Sequence, residues 1–145
     1  MRFSELVQVL QLSVGPVILI SGVGLLLLSM TNRFARVIDR IRLVAQTARA
    51  AADNSARFTS QLAMLQRRAN LLRASIILAV FSVLMAALLV ITLFVTAATR
   101  SDLGLPVIIL FLGSMLLLIA SLILFIGDLN LSLEAVKLEI ETPAD

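Results

Sequence analysis

Two stretches without a single charged residue, Ala74 to Thr99 and Leu103 to Gly127, decide what this chain folds into. Each is longer than the roughly 20 apolar residues an α-helix needs to cross a hydrocarbon layer of about 30 Å. A third uncharged run, Leu12 to Met30, is shorter and carries Gly15, Pro16, Gly22 and Gly24. Lipid offers no water to satisfy a bare peptide group, so runs of this length cross it as helices. Composition agrees: 60% of the 145 residues are hydrophobic and 14% are charged, against roughly 45–50% and about 25% in soluble domains. The expected fold is an all-α membrane protein with three long transmembrane helices. These extend into the cytoplasm as an antiparallel helical hairpin plus a C-terminal amphipathic helix.

The first run is read as a retained span rather than a secretion signal. Its apolar core is longer than a signal's usual stretch, the residues before it carry only Arg2 and Glu5, and Thr31-Asn32-Arg33 follows in place of a small-residue cleavage site.

Taken in order, residues 1–13 form a short amphipathic segment, either an interfacial helix or an early start to the first span, and residues 12–31 form the first span. Gly15-Pro16 is expected to mark a bend or a fresh helix start, because proline has no amide hydrogen to give the preceding turn. The apolar period then continues into a polar stretch: Phe34, Val37, Ile38, Ile41, Val44 or Ala45, Ala48. That is the stripe of an amphipathic helix. Asp53-Asn54-Ser55 is the first credible turn, since these side chains cap free backbone amides. Phe58, Leu62, Leu65, Ala69 and Leu72 follow at alternating steps of four and three, the seam of a coiled coil.

Residues 32–73 thus read as a helical hairpin that continues into a second span at 74–99. A short outer turn at 100–105 leads to a third span at 106–127. Residues 128–141 form an acidic amphipathic helix seamed by Leu129, Leu133, Val136 and Ile140, with Leu131 and Leu138 widening its apolar face.

Between Asn32 and Arg73 stand nine of the eleven arginines against Asp39 and Asp53, a net charge of +7. Cationic residues close to span ends mark the cytoplasmic side. The hairpin and C-terminus are therefore expected in the cytoplasm and the N-terminus outside, in a bacterial inner membrane. From Asp128 onward the acids outnumber Lys137 five to one, a net of −4. This tail is expected to dock on the basic hairpin, mainly through its leucine seam, because exposed ion pairs add only about 0–1 kcal/mol each.

The chemistry the chain lacks is equally informative. It has no cysteine and no histidine, which removes disulfides, thiolate chemistry and the commonest general base and metal ligand. No glycine-rich phosphate loop or spaced carboxylate pair occurs. No catalytic residue, cofactor or metal is expected, and the chain does not read as an enzyme.

Small residues recur every seven positions: Gly15, Gly22 and Ser29; Ser75 and Ser82; Gly113, Ala120 and Gly127; with Ser114, Ser121 and Asp128 alongside. Close helix packing is their ordinary role in membranes. A sharper expectation is that Gly22, Ser29, Asn32, Arg33, Arg36 and Arg40 line a pore or a subunit interface. Arg67, Arg68 and Arg73 are candidates for contact with anionic lipid headgroups, each cation near an anionic leaflet gaining about 1 kcal/mol. Asp128, where the third span ends, is a candidate polar lock with Arg33 or Arg36. Nucleic acid is not an expected partner, because Phe34 and Phe58 sit on the apolar stripe rather than among the cations. A slender protomer with leftover apolar positions (Leu43, Met64, Leu71) is expected to form a homo-oligomer.

The run PVILISGVGLLLLSMTNRFARVIDRIR, residues 16–42, with LQRRANLLRASIILAVFSVL, residues 65–84, resembles a bacterial family of small membrane proteins, domain of unknown function 2721. The likeness extends over about residues 5–140 and implies a prokaryotic inner-membrane protein with three spans. It singles out Asn32, Arg33, Arg36, Asp39, Arg40, Arg67, Arg68 and Arg73 as family-like positions, and it implies no activity.

Overall fold

The structure is a computed structural model that describes residues 3–50, 55–99 and 104–141; the side chains of Glu5 and of residues 48–50, 55–58 and 132–141 are not described. All of the described backbone is helical: α1 spans Phe3–Ala50, α2 Ser55–Thr99 and α3 Gly104–Glu141. Each helix contains a stretch long and apolar enough to cross a membrane, within Leu6–Thr47, Thr59–Thr99 and Gly104–Leu131. Asp53 and Asn54 of the expected turn, most of the outer turn, and most of the side-chain seam of the acidic tail lie outside the described residues, while Ser55 is the first residue of α2.

α1 runs as one helix from Phe3 through Pro16, the early start to the first span that the sequence left open. Proline removes one amide donor, the one owed to the carbonyl of Leu12, and leaves the rest of the ladder standing. Such a loss is tolerated in spans where neighbouring groups compensate.

Four hydroxyls within the apolar helices are satisfied locally. Ser13, Thr92, Thr96 and Thr99 each donate to the carbonyl four residues back, at 2.8 Å. A side chain bonded in this way exposes no free donor to lipid.

Two compact units divide the chain. The first comprises Met1–Leu28 with Ile77–Ala120, the second Ser29–Ile76 with Ser121–Asp145. In the first, the buried side chains are Val9, Ser13, Val23, Ala79, Ser82, Ala86, Leu89 and Ser114. Between α2 and α3 the Ser82 hydroxyl donates to the carbonyl of Ser114 at 2.8 Å. Large residues such as Ile18, Leu25, Ile108 and Leu116 point outward, as they do on a surface whose solvent is hydrocarbon.

In the second unit Val37 of α1 packs with Ala69 and Leu72 of α2, and Phe34, Ile38, Ile41 and Phe125 close around them. The buried positions on α2, at 69, 72, 75, 79, 82, 86 and 89, keep the steps of three and four expected of a heptad seam.

Candidate functional site

The second unit holds the polar centre of the molecule. Asp128 is the last member of the line Ser114, Ser121, Asp128 on α3, all three fully or almost fully buried. Their spacing of seven keeps them on the face that meets α2. One heptad before Asp128, Ser121 donates to the backbone carbonyl of Ser75 at 2.7 Å. The Ser75 hydroxyl in turn donates to the carbonyl of Leu72 at 2.8 Å and lies 4.0 Å from the sulfur of Met30. α1, α2 and α3 thus meet at one level around Ser75.

One heptad on, the Asp128 carboxylate has no solvent exposure and sits between two arginines. Arg68 Nε donates to Oδ1 at 3.3 Å. Arg33 Nε stands 3.9 Å from Oδ2, an ion pair too long to be a hydrogen bond, and Oδ2 has no hydrogen-bond partner. The Arg33 guanidinium also lies 5.6 Å from the ring centre of Phe125, within range of a cation–π attraction. Both arginines remain partly exposed, 26% and 20% for the side chains of Arg33 and Arg68, so their far edges reach the surface while the carboxylate does not. A buried carboxylate without a cation would be strongly penalised. Here each of the other two helices supplies one.

The expected site residues therefore separate. Asp128 meets Arg33, one of the two partners considered for it, and its hydrogen-bonded partner is Arg68, which the sequence pattern had placed among the lipid contacts. Arg36 and Arg40 do not approach Asp128; they are exposed, as are Gly22, Ser29, Asn32, Arg67 and Arg73. Among the described residues the only ion pairs are those of Asp128.

The small residues split as well. Ser75, Ser82, Ser114 and Ser121 are buried against neighbouring helices. By contrast, a side chain added at Gly15, Gly22, Gly24, Gly113 or Gly127 would meet nothing within 4 Å. Close packing against the described residues is therefore not the reason for these glycines.

Beside the polar centre, α1 and α2 enclose a half-open groove of about 350 Å³. Among the described residues no cluster of three potential metal ligands occurs. Chemically the arrangement ties helices together and displays cations.

No curated protein and no solved structure matches the chain. The family model that does match is described as a protein of unknown function, DUF2721, and it aligns with residues 13–138, so the chain is a member of that family.

Proposed function

We propose that the protein is a homo-oligomeric channel or pore of the bacterial inner membrane, with an arginine-rich vestibule on the cytoplasmic side. Residues 32–73 form the antiparallel hairpin, turned at Asp53-Asn54-Ser55, and residues 128–141 supply the acidic amphipathic helix beside it. The excess of cations in this region orients it to the cytoplasm, with the N-terminus outside.

One observation carries the reading: the outward face of α1. Gly22, Ser29, Asn32 and Arg36 recur along it at steps of seven, three and four, all are exposed, and among the described residues nothing lies within 4 Å of a side chain added at the glycine. A glycine in a helix interior costs about 1 kcal/mol relative to alanine, and facing lipid it gains nothing in return. Against a neighbouring subunit it allows close approach. Arg36 and Arg40, exposed on the cytoplasmic continuation of α1 and without an ion-pair partner among the described residues, would then ring the mouth and attract anions.

Ion flux through liposomes or planar bilayers containing the purified protein tests this. Conductance should appear, and Arg36→Glu with Arg40→Glu should move the reversal potential toward cation preference. Absence of conductance across ions, tension and pH would remove the channel reading.

A second reading rests on Arg67 and Arg73, which are exposed beside the second span. On this view the protein is a non-conducting scaffold that holds anionic lipid headgroups or a partner. Charge reversal at Arg67 and Arg73 would then reduce binding to anionic vesicles, with no flux to measure in any variant.

A further inference from the structure

Asp128 gathers two cations without exhausting their donors. A guanidinium carries five N–H groups on a flat fork, and Arg33 and Arg68 both turn the Nε edge of that fork to the carboxylate. Arg68 donates from Nε to Oδ1 at 3.3 Å. Arg33 brings its Nε to 3.9 Å from Oδ2. The terminal amino groups lie further along each fork, on side chains that reach the surface. Two guanidinium cations and one carboxylate leave a single positive charge at this point.

We propose that Arg33 and Arg68, gathered by Asp128, hold the phosphate of an anionic phospholipid. The proposal rests on the lipid-binding reading of the preceding section, but it places the site on residues other than Arg67 and Arg73 and does not require conduction.

Height is the first argument. Met30, Ser75 and Ser121 are in contact at one level. Arg33 and Phe125 stand three and four residues beyond that level, Arg68 and Asp128 seven. At about 1.5 Å per helical residue, the group extends from about 5 to about 10 Å past it. The uncharged runs end at Met30, Ala74 and Gly127, and the headgroup layer beyond the hydrocarbon is roughly 5–8 Å thick on each side. The two arginines therefore stand where lipid phosphates lie.

The second argument is order. Arg33 starts nearer the hydrocarbon than the carboxylate and rises past Phe125, whose ring centre is 5.6 Å from its guanidinium. Long cationic side chains extend in this way from an apolar stem toward a polar layer. Binding a ligand with a free arginine means fixing that side chain at the same moment. Asp128 and Phe125 hold Arg33, and Asp128 holds Arg68, in the unliganded chain. The planar fork matches a phosphate's oxygens, and basic pockets between spans on the cytoplasmic side take acidic headgroups.

The third argument is the surface beneath. Immediately before Asp128, α3 turns Ile123 and Ile126 outward. Acyl chains pack on such a surface, whereas a free anion gains nothing from it.

The test titrates purified full-length protein in detergent with phosphatidylglycerol or phosphatidylcholine of the same chains, read by native mass spectrometry. Wild type should retain phosphatidylglycerol in preference. Arg33→Lys with Arg68→Lys should reduce that retention several-fold, because lysine keeps a cation beside Asp128 but replaces the fork with a point charge. Arg67→Lys with Arg73→Lys should leave it unchanged. A phosphatidylglycerol bearing a photoreactive headgroup, activated on the wild type, gives a measurement that needs no variant to fold. It should label residues 29–36 and 122–131.

Loss of retention only in the Arg67 and Arg73 pair, or label confined to α2 around Arg73, would overturn this site and leave lipid binding standing. Equal retention of both lipids by the wild type would overturn both readings. Displacement of phosphatidylglycerol by an equal concentration of inorganic phosphate would assign the arginines to a free anion and overturn the lipid site.

Discussion

The two units of the molecule are held together by different means. In the first, the buried side chains between helices are mostly small: Ser13, Ala79, Ser82, Ala86 and Ser114, joined by the bond from Ser82 to the carbonyl of Ser114. In the second, Met30, Val37 and Leu72 are buried together with a carboxylate held by two arginines. On the proposed topology, with the first unit in lipid and the second in water, the contrast follows from the solvent. In lipid, exchanging a leucine's tail contacts for helix contacts gains little, so association depends on close backbone approach and hydroxyl bonds. In water, burying the same leucine is worth about 1.5–3 kcal/mol, and charges can remain half solvated.

The largest expected effect strikes the charged centre. Arg68→Ala leaves Asp128 buried with only the long contact to Arg33 and should destabilise the second unit by about 3–5 kcal/mol. Thermal unfolding followed by circular dichroism in detergent would register this. A loss under about 1 kcal/mol would mean that the carboxylate is not buried as described. Arg33→Ala should cost less, because it removes a 3.9 Å pair and a cation–π contact of about 0.5–1 kcal/mol.

Truncation of a leucine comes next. Leu72→Ala empties a fully buried position and should cost about 2–5 kcal/mol. In the first unit the corresponding lesion is addition rather than removal. Ala86→Leu, at a position with 1% exposure, overpacks the seam and should cost about 1–3 kcal/mol. If Ala86→Leu were neutral while Leu72→Ala was severe, close approach would not be what holds the first unit.

Hydroxyl deletions are smaller. Ser82→Ala in the first unit and Ser121→Ala in the second should each cost about 0.5–1.5 kcal/mol. Neither should respond to salt, in contrast to variants at Arg33.

The smallest effect on the fold belongs to Gly22→Leu. Open space surrounds the glycine, so the melting of the isolated protomer should be unchanged or slightly raised. The oligomer read by native mass spectrometry should weaken. An unchanged oligomer would separate the outward glycines from assembly.

Much of this architecture was legible in the residue order. Uncharged runs such as Ala74–Thr99 admit few structures, and the steps from Leu65 through Ala69 to Leu72 locate a seam before any contact is known. Continuity of α1 through Pro16 was harder to read. The rule that proline ends helices is calibrated on soluble proteins, and a long apolar helix has much else to keep it intact. The partner of Asp128 was hardest. Arg67 and Arg68 are neighbours of identical chemistry, but one helical residue is about 100° of rotation, so one points to the carboxylate and the other away. That choice depends on the register between α2 and α3, which Ser121 and the carbonyl of Ser75 display only once folded. The outward glycines were equally ambiguous, since spacing alone does not say whether a small residue faces its own chain or another.

The order of residues around Asp128 bears on how such a chain is made. Synthesis proceeds from the N-terminus at about 5–20 residues per second, so Arg33 and then Arg68 are polymerised seconds before Asp128. Both cations wait where the apolar runs end, with water at hand to solvate them. The carboxylate, which ends with no exposure at all, is produced last, when both its partners already exist. Vectorial synthesis thus spares the nascent chain an unpaired acid at the end of its third span.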